Sequence, residues 1–185
     1  MKELTAMTPD PGTYSLGPGS GVLSIRTTRQ GAASKAGHDL RIEVGSWEAE
    51  VKLGDAPEQS AMTLSADSRS LRVVEGTGGI KSLTGDDRES IQKTINDEVL
   101  KGCAIEFRST EVLGAPSGDL NVSGQLDLNG KQAPVTFELA VGDDGRVSGS
   151  ATVKQTAFGM KPYSALFGAL KVADDVTIAI DGKLA

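Results

Sequence analysis

A mainly β architecture, an antiparallel β-barrel of about eight strands with one amphipathic helix, is what this sequence predicts. Three observations point to it. Apolar and polar residues alternate with a period of two in about nine segments between Thr13 and Leu184. Gly, Asp, Asn and Pro punctuate those segments at hairpin spacing. Helical periodicity replaces the alternation in one clear place. A strand sends successive side chains to opposite faces, so each alternating run has one dry face and one wet face. Many such strands hide their dry faces only in a sandwich or a barrel, and a barrel with a dry interior is a container.

The elements follow in chain order. Residues 1–11 lack the apolar core of a secretory signal and are expected to be a flexible leader to a single domain, 12–185. The run Gly17-Pro18-Gly19-Ser20-Gly21 has the glycine spacing of a phosphate cradle, but it feeds the strand Val22 to Thr28 rather than a helix, so it reads as a turn. A helical turn is expected at 32–36. In the next strand Leu40, Ile42 and Val44 are dry, while Asp39, Arg41 and Glu43 are wet. The beat returns in Trp47, Ala49, Val51, Leu53 and in Met62, Leu64, Ala66. Gly76-Thr77-Gly78-Gly79 is expected to be a flexible loop at an edge or rim.

The helix is placed at about 87–100, where Ile91, Ile95 and Val99 recur at i, i+4, i+8. Asp86 and Glu89 resemble a capping arrangement. Alternation resumes in Ile105, Phe107, then in Leu120 to Leu128, Val135 to Val141, Val147 to Val153 and Val176 to Ile180. Asn129-Gly130 and Asp143-Asp144-Gly145 are hairpin signals between these runs. A second short helical turn is expected at 164–170, inside an apolar stretch that reads equally as a lid and as a dimer contact.

Bulk properties narrow the function. With 38% hydrophobic and 24% charged residues the chain has an ordinary globular composition, and no apolar run is long enough to span a bilayer. A net charge of −6 argues against nucleic acid, which requires clustered cations. Cys103 is the only cysteine, so an internal disulfide is impossible; with no signal segment, a cytoplasmic location is expected. Its phase with Ile105 and Phe107 makes it a buried structural thiol. One His and one Cys do not make a metal site, and no serine lies in a nucleophile elbow. No cofactor and no catalytic constellation are expected.

Several phrases together resemble one family. Gly12-Thr13-Tyr14-Ser15-Leu16 followed by Val22-Leu23-Ser24-Ile25 resembles the first hairpin of the YceI-like family. Ala104 to Thr110 is similar to its strand ending in Phe-x-Ser-Thr, and Gly124-Gln125-Leu126 with Pro134-Val135-Thr136-Phe137 to its central hairpin. Phe158-Gly159 and Asp175-Val176-Thr177-Ile178 resemble its closing elements, and Gly37-His38-Asp39-Leu40 a variant found in part of the family. The resemblance implies a lipocalin-like barrel associated with polyisoprenoid and other lipid binding.

The expected function is therefore to bind or carry a long-chain apolar molecule, polyisoprenoid or fatty-acid-like, inside the barrel. Alternatives are a cyclase or isomerase using the same pocket and a protein-interaction module that forms a homodimer. The expected ligand wall takes His38, Leu40, Ile42, Trp47, Met62 and Leu64 from the first half of the chain. Phe107, Leu126, Phe137, Phe158, Met160, Tyr163, Phe167 and Ile178 complete it. Ala49, Ala66, Gly124, Gly149 and Ala151 are the small inward residues expected to leave room. His38, Lys35, Arg69, Lys161 and Tyr163 are the rim groups available to a polar head.

Overall fold

Fourteen strands carry the chain in the computed structural model, which describes residues 9–185. They are β1 (Gly12–Leu16), β2 (Gly21–Thr27), β3 (Arg29–Gln30), β4 (His38–Val44), β5 (Trp47–Leu53), β6 (Ala61–Asp67) and β7 (Leu71–Gly78). After one helix, α1 (Gly85–Thr94), come β8 (Ala104–Gly114), β9 (Leu120–Leu128), β10 (Lys131–Val141), β11 (Arg146–Lys154), β12 (Ser164–Ala165), β13 (Leu170–Val172) and β14 (Asp175–Lys183). The expected leader, 1–11, lies largely outside the described residues; within them, the Tyr14 hydroxyl donates to the Asp10 carbonyl at 2.6 Å. None of the described helices is long and apolar enough to cross a membrane.

Eleven strands form one antiparallel sheet in the order β1-β5-β6-β8-β9-β10-β11-β14-β2-β4-β7, so the expected eight is corrected to eleven. The difference arises at corners. Only Gly45 and Ser46 separate β4 from β5, and only Ser68–Ser70 separate β6 from β7. Because β4 pairs with β7 and β5 with β6, each bent run counts as two strands. Gly45 N donates to Ser70 O at 2.9 Å and Asp67 N to Ser46 O at 3.0 Å, so the ladder continues through the bend. The two ends of the sheet order are thus joined through the chain, and the sheet curls around its dry face. The Gly12–Leu16 and Val22–Ile25 runs do not form a hairpin with each other. β1 pairs with β5, while β2 pairs with β4 and β14.

Turn chemistry follows the residues. Asn129 and Gly130 both take positive φ (57° and 71°), as a two-residue hairpin turn requires between Leu128 and Lys131. The run Gly76–Gly78 is not a loop: it completes β7 by pairing with Leu40, Asp39 and His38, and Gly78 stands where a Cβ would strike the Arg29 guanidinium. The expected turn at 32–36 is a single 3-10 turn, Ser34–Ala36. That at 164–170 is divided, with Leu166–Gly168 forming a tight turn between β12 and β13. Those two strands and β3 make a separate three-stranded sheet.

The helix begins earlier than its acidic run suggests. Thr84, not Asp86, is the N-cap: its Oγ1 accepts from Asp87 N at 3.1 Å, and Asp87 Oδ2 accepts from Thr84 N at 2.9 Å. Threonine's short hydroxyl reaches the third amide, leaving Asp86 and Glu89 inside the first turns. The helix ends in a π-turn, Ile95–Val99, with Leu100 N donating to Ile95 O at 2.8 Å. β7 and β8 are not paired to one another. The helix crosses this interval in sequence, and the Gln92 side chain accepts from Val73 N at 2.9 Å, satisfying an amide on β7.

Candidate functional site

The dry face does not fill the space it encloses. At one end of the sheet, Leu16, Ala49, Val51, Leu53, Val112, Val122, Leu139 and Val147 pack as a solid layer, each no more than 7% exposed and none on a cavity wall. At the other end an apolar cavity of about 460 Å³ opens. Every strand of the main sheet except β1 and β5 contributes to its wall, and α1 with its π-turn covers one side through Ile91, Ile95 and Val99. This is a volume ordinary for a small-molecule site.

The alternation explains the wall. Leu23, Ile25, Thr27 on β2, His38, Leu40, Ile42, Val44 on β4 and Met62, Leu64, Ala66 on β6 are same-parity positions facing the hollow. Across from them stand Phe107, Leu126, Leu128, Phe137 and, on the closing strands, Ala151, Val153, Ile178 and Ile180. Gly149, Ala66 and Ala151 lie on the wall. Ala49 belongs to the packed end, and the space above Gly124 is taken by the Phe107 ring.

Of the fourteen expected wall residues, His38, Leu40, Ile42, Met62, Leu64, Phe107, Leu126, Phe137, Met160, Tyr163 and Ile178 line this cavity. Three do not. Trp47 lies beyond the β4–β5 corner, beside a shallow recess shared with Asp67 and Cys103, and its buried Nε1 has no partner. Phe158 sits in a 3-10 turn, Gln155–Phe158, at 1% exposure, where it is core and not wall. Phe167 points fully into solvent, because it takes a left-handed φ of 56° at a turn tip. Cys103 precedes β8 and is half-buried in the recess by Trp47.

Few polar groups reach the hollow. His38 Nε2 lies 2.8 Å from the Lys81 carbonyl, which makes Nε2 the protonated donor and anchors the chain after β7. A Cβ on Gly79 would collide with that imidazole, and Gly79 also has φ of 74°. Among the rim groups, His38 and Tyr163 line the cavity; Lys35, Arg69 and Lys161 do not, and Arg69 instead packs against Gly102.

Arg29, Gln155 and Lys171 are wall residues that sequence reasoning missed. Arg29 was legible, being in phase with Leu23, Ile25 and Thr27. It donates to Gly37 O through Nη1 at 2.6 Å and pairs loosely with Asp39, Nε to Oδ1, at 3.8 Å. Gln155 Nε2 donates to Ala173 O at 3.0 Å within the protein interior. The site can therefore enclose a hydrocarbon and offer a cation and an imidazole near its mouth.

Comparison with known proteins gives the architecture a relationship. No functionally curated protein matches the chain. Among solved structures, BcnA of Burkholderia cenocepacia superposes with a TM-score of 0.62 at 18% identity, over 86% of this chain and 94% of that one. A YCEI protein of Campylobacter jejuni gives 0.53 at 12% identity, over 76% and 81%. A polyisoprenoid binding domain from Saccharophagus degradans gives 0.50 at 11% identity, over 94% and 99%. At these identities the likeness is one of fold. The model of the YceI-like domain matches residues 23–184, which takes in all but the first strand and the ends, and the chain belongs to that family.

Proposed function

We propose that this protein binds and carries a long-chain apolar molecule, polyisoprenoid or fatty-acid-like, in the cavity of its curled sheet. The observation that carries the reading is the unfilled apolar hollow of about 460 Å³, bounded by aliphatic and phenylalanine side chains from nine strands of the main sheet, from β13 and from one helix. Each buried methylene contributes about 0.8 kcal/mol, so ten give a gross of ~8 kcal/mol before the cost of ordering and association. Micromolar retention with no ionic anchor takes about 8 kcal/mol net, so it requires a chain that buries more than ten methylenes. Arg29, His38 and Lys171 at the mouth suit a polar or anionic head group. The structural likeness to a polyisoprenoid binding domain supports the same ligand class.

Carriage is favoured over a cyclase or isomerase because the one imidazole spends its Nε2 on the Lys81 carbonyl. The test is solvent extraction of freshly purified protein followed by mass spectrometry. A stoichiometric long-chain lipid is expected. Repeated recovery of empty protein that also fails to take up added polyisoprenoid or fatty acid would sink the reading.

A further inference from the structure

The mouth of the cavity differs in charge from the rest of the molecule. Segments 29–38 and 155–172 line it, and 76–85, which has no residue on the wall, joins them. They are stitched together by Ala33 N donating to Ala169 O at 2.8 Å, by the pairing of Lys171 with Gln30, and by His38 with the Lys81 carbonyl. These segments contain Arg29, Lys35, Lys81, Lys161 and Lys171 and not one Asp or Glu, in a chain whose net charge is −6. Of the flanking carboxylates, Asp39, Glu75 and Asp175 pair with Arg29, Arg41 and Lys154, Asp86 is in no ion pair among the described residues, and Asp87 and Asp174 bond to the neutral Thr84 and Thr156 and so keep their charge. Among the described residues, no ion pair involves Lys35, Lys81, Lys161 or Lys171.

The same segments carry most of the large apolar side chains left in water. Phe167 is 112% exposed, Ile80 85% and Leu166 59%, with Tyr163 also exposed at the rim. Leu166 and Phe167 are held at φ of 51° and 56°, a left-handed conformation that is costly for two successive branched or bulky residues. They form an apolar tip, with the Lys171 side chain beside Gly168 in the same turn. An apolar wedge on a cationic rim is complementary to one kind of surface, an anionic phospholipid interface.

We infer that the mouth docks on an anionic bilayer, with Phe167 and Leu166 inserted among the acyl chains and the lysines on the headgroups. The purpose of such docking rests on the carrier reading above, since it places the cavity entrance where an apolar ligand leaves or enters the membrane without crossing water. The inserted tip, Leu166 and Phe167, and the lysines Lys35, Lys81 and Lys161 lie off the cavity wall, whereas Arg29, Tyr163 and Lys171 belong to both.

The test is flotation of the full chain with phosphatidylcholine–phosphatidylglycerol vesicles and with phosphatidylcholine alone. Binding to the anionic vesicles is expected, released by salt. Phe167→Gly, which suits the left-handed φ, is expected to weaken it roughly tenfold. Lys35→Glu with Lys161→Glu is expected to weaken it by about tenfold or more. None of these positions lies on the cavity wall, and thermal unfolding checks that both variants fold. Absence of flotation, equal flotation with neutral vesicles, or variants that float like the parent would each overturn docking. So would a dimer that Phe167→Gly dissociates in a protein that ignores vesicles, which assigns the tip to a second copy. Extraction of the same preparations separates the two readings: empty protein that still docks refutes carriage alone, and loaded protein that ignores anionic vesicles refutes docking alone.

Discussion

The rings of Phe107 and Phe137 meet across the wall of the cavity with centroids 5.6 Å apart and planes inclined at 57°. Glycines make room for both. A Cβ on Gly124 would lie 2.6 Å from Phe107 Cζ, and one on Gly149 would lie 3.4 Å from Phe137 Cδ2. The pair thus rests against bare backbone, which sets how far the rings intrude into the hollow.

Gly124→Ala should therefore push on Phe107 and on the Arg108 carbonyl together. The carbonyl belongs to a paired strand and cannot yield easily. A loss of about 1–3 kcal/mol in urea unfolding is expected. An unchanged midpoint would show that the ring moves freely into the cavity.

Ala151→Phe is the complementary change. Ala151 faces the hollow opposite Ile178 on β14, so a ring there occupies ligand space without displacing packed atoms. The melting temperature should hold or rise, while extracted lipid should fall at least ~tenfold, as a filled site loses most of the methylene burial. Full retention of lipid would place the ligand elsewhere.

Trp47→Phe should leave ligand retention untouched, because Trp47 is off the cavity wall. Its buried Nε1 has no hydrogen-bond partner, so the substitution removes an unsatisfied donor along with some ring volume. The two effects oppose, and a net stability change within about 1 kcal/mol is expected by denaturant titration.

The helix cap supplies a pH dependence. Hydrogen bonds from Thr84, first its amide and then its hydroxyl, hold the Asp87 carboxyl below its ordinary value of 3.8. A depressed carboxylate stabilises the fold fully above its unfolded value and loses that contribution as pH falls through the folded one. Asp87→Asn should accordingly lower the melting temperature at neutral pH and flatten its decline in the acid range below 3.8. Circular dichroism melts of the two proteins across that range provide the comparison; parallel curves would remove Asp87 from the cap's titration.

Much of the wall was legible from alternation. Leu40, Ile42, Met62, Leu64 and Phe107 are same-phase residues in their strands, and period two alone assigns them to one face. The helix stripe Ile91, Ile95, Val99 was equally plain, and it meets the cavity. The cap was displaced because Asp86 and Thr84 are both good capping residues, and only the backbone turn at Thr84 selects between them.

Sequence alone determined which side chains turn away from water, because a strand's two faces are a local property of its backbone. It did not determine which dry residues touch each other and which bound a void. Ala49, Val51 and Leu53 keep the same beat as His38, Leu40, Ile42 and Val44, yet the first set packs solid and the second faces the hollow. That division is made at the Gly45-Ser46 corner and by the strands that cross opposite each half, β1 against β5 and β2 against β4. Filling depends on the distance to side chains far along the chain, and only the curled sheet sets that distance.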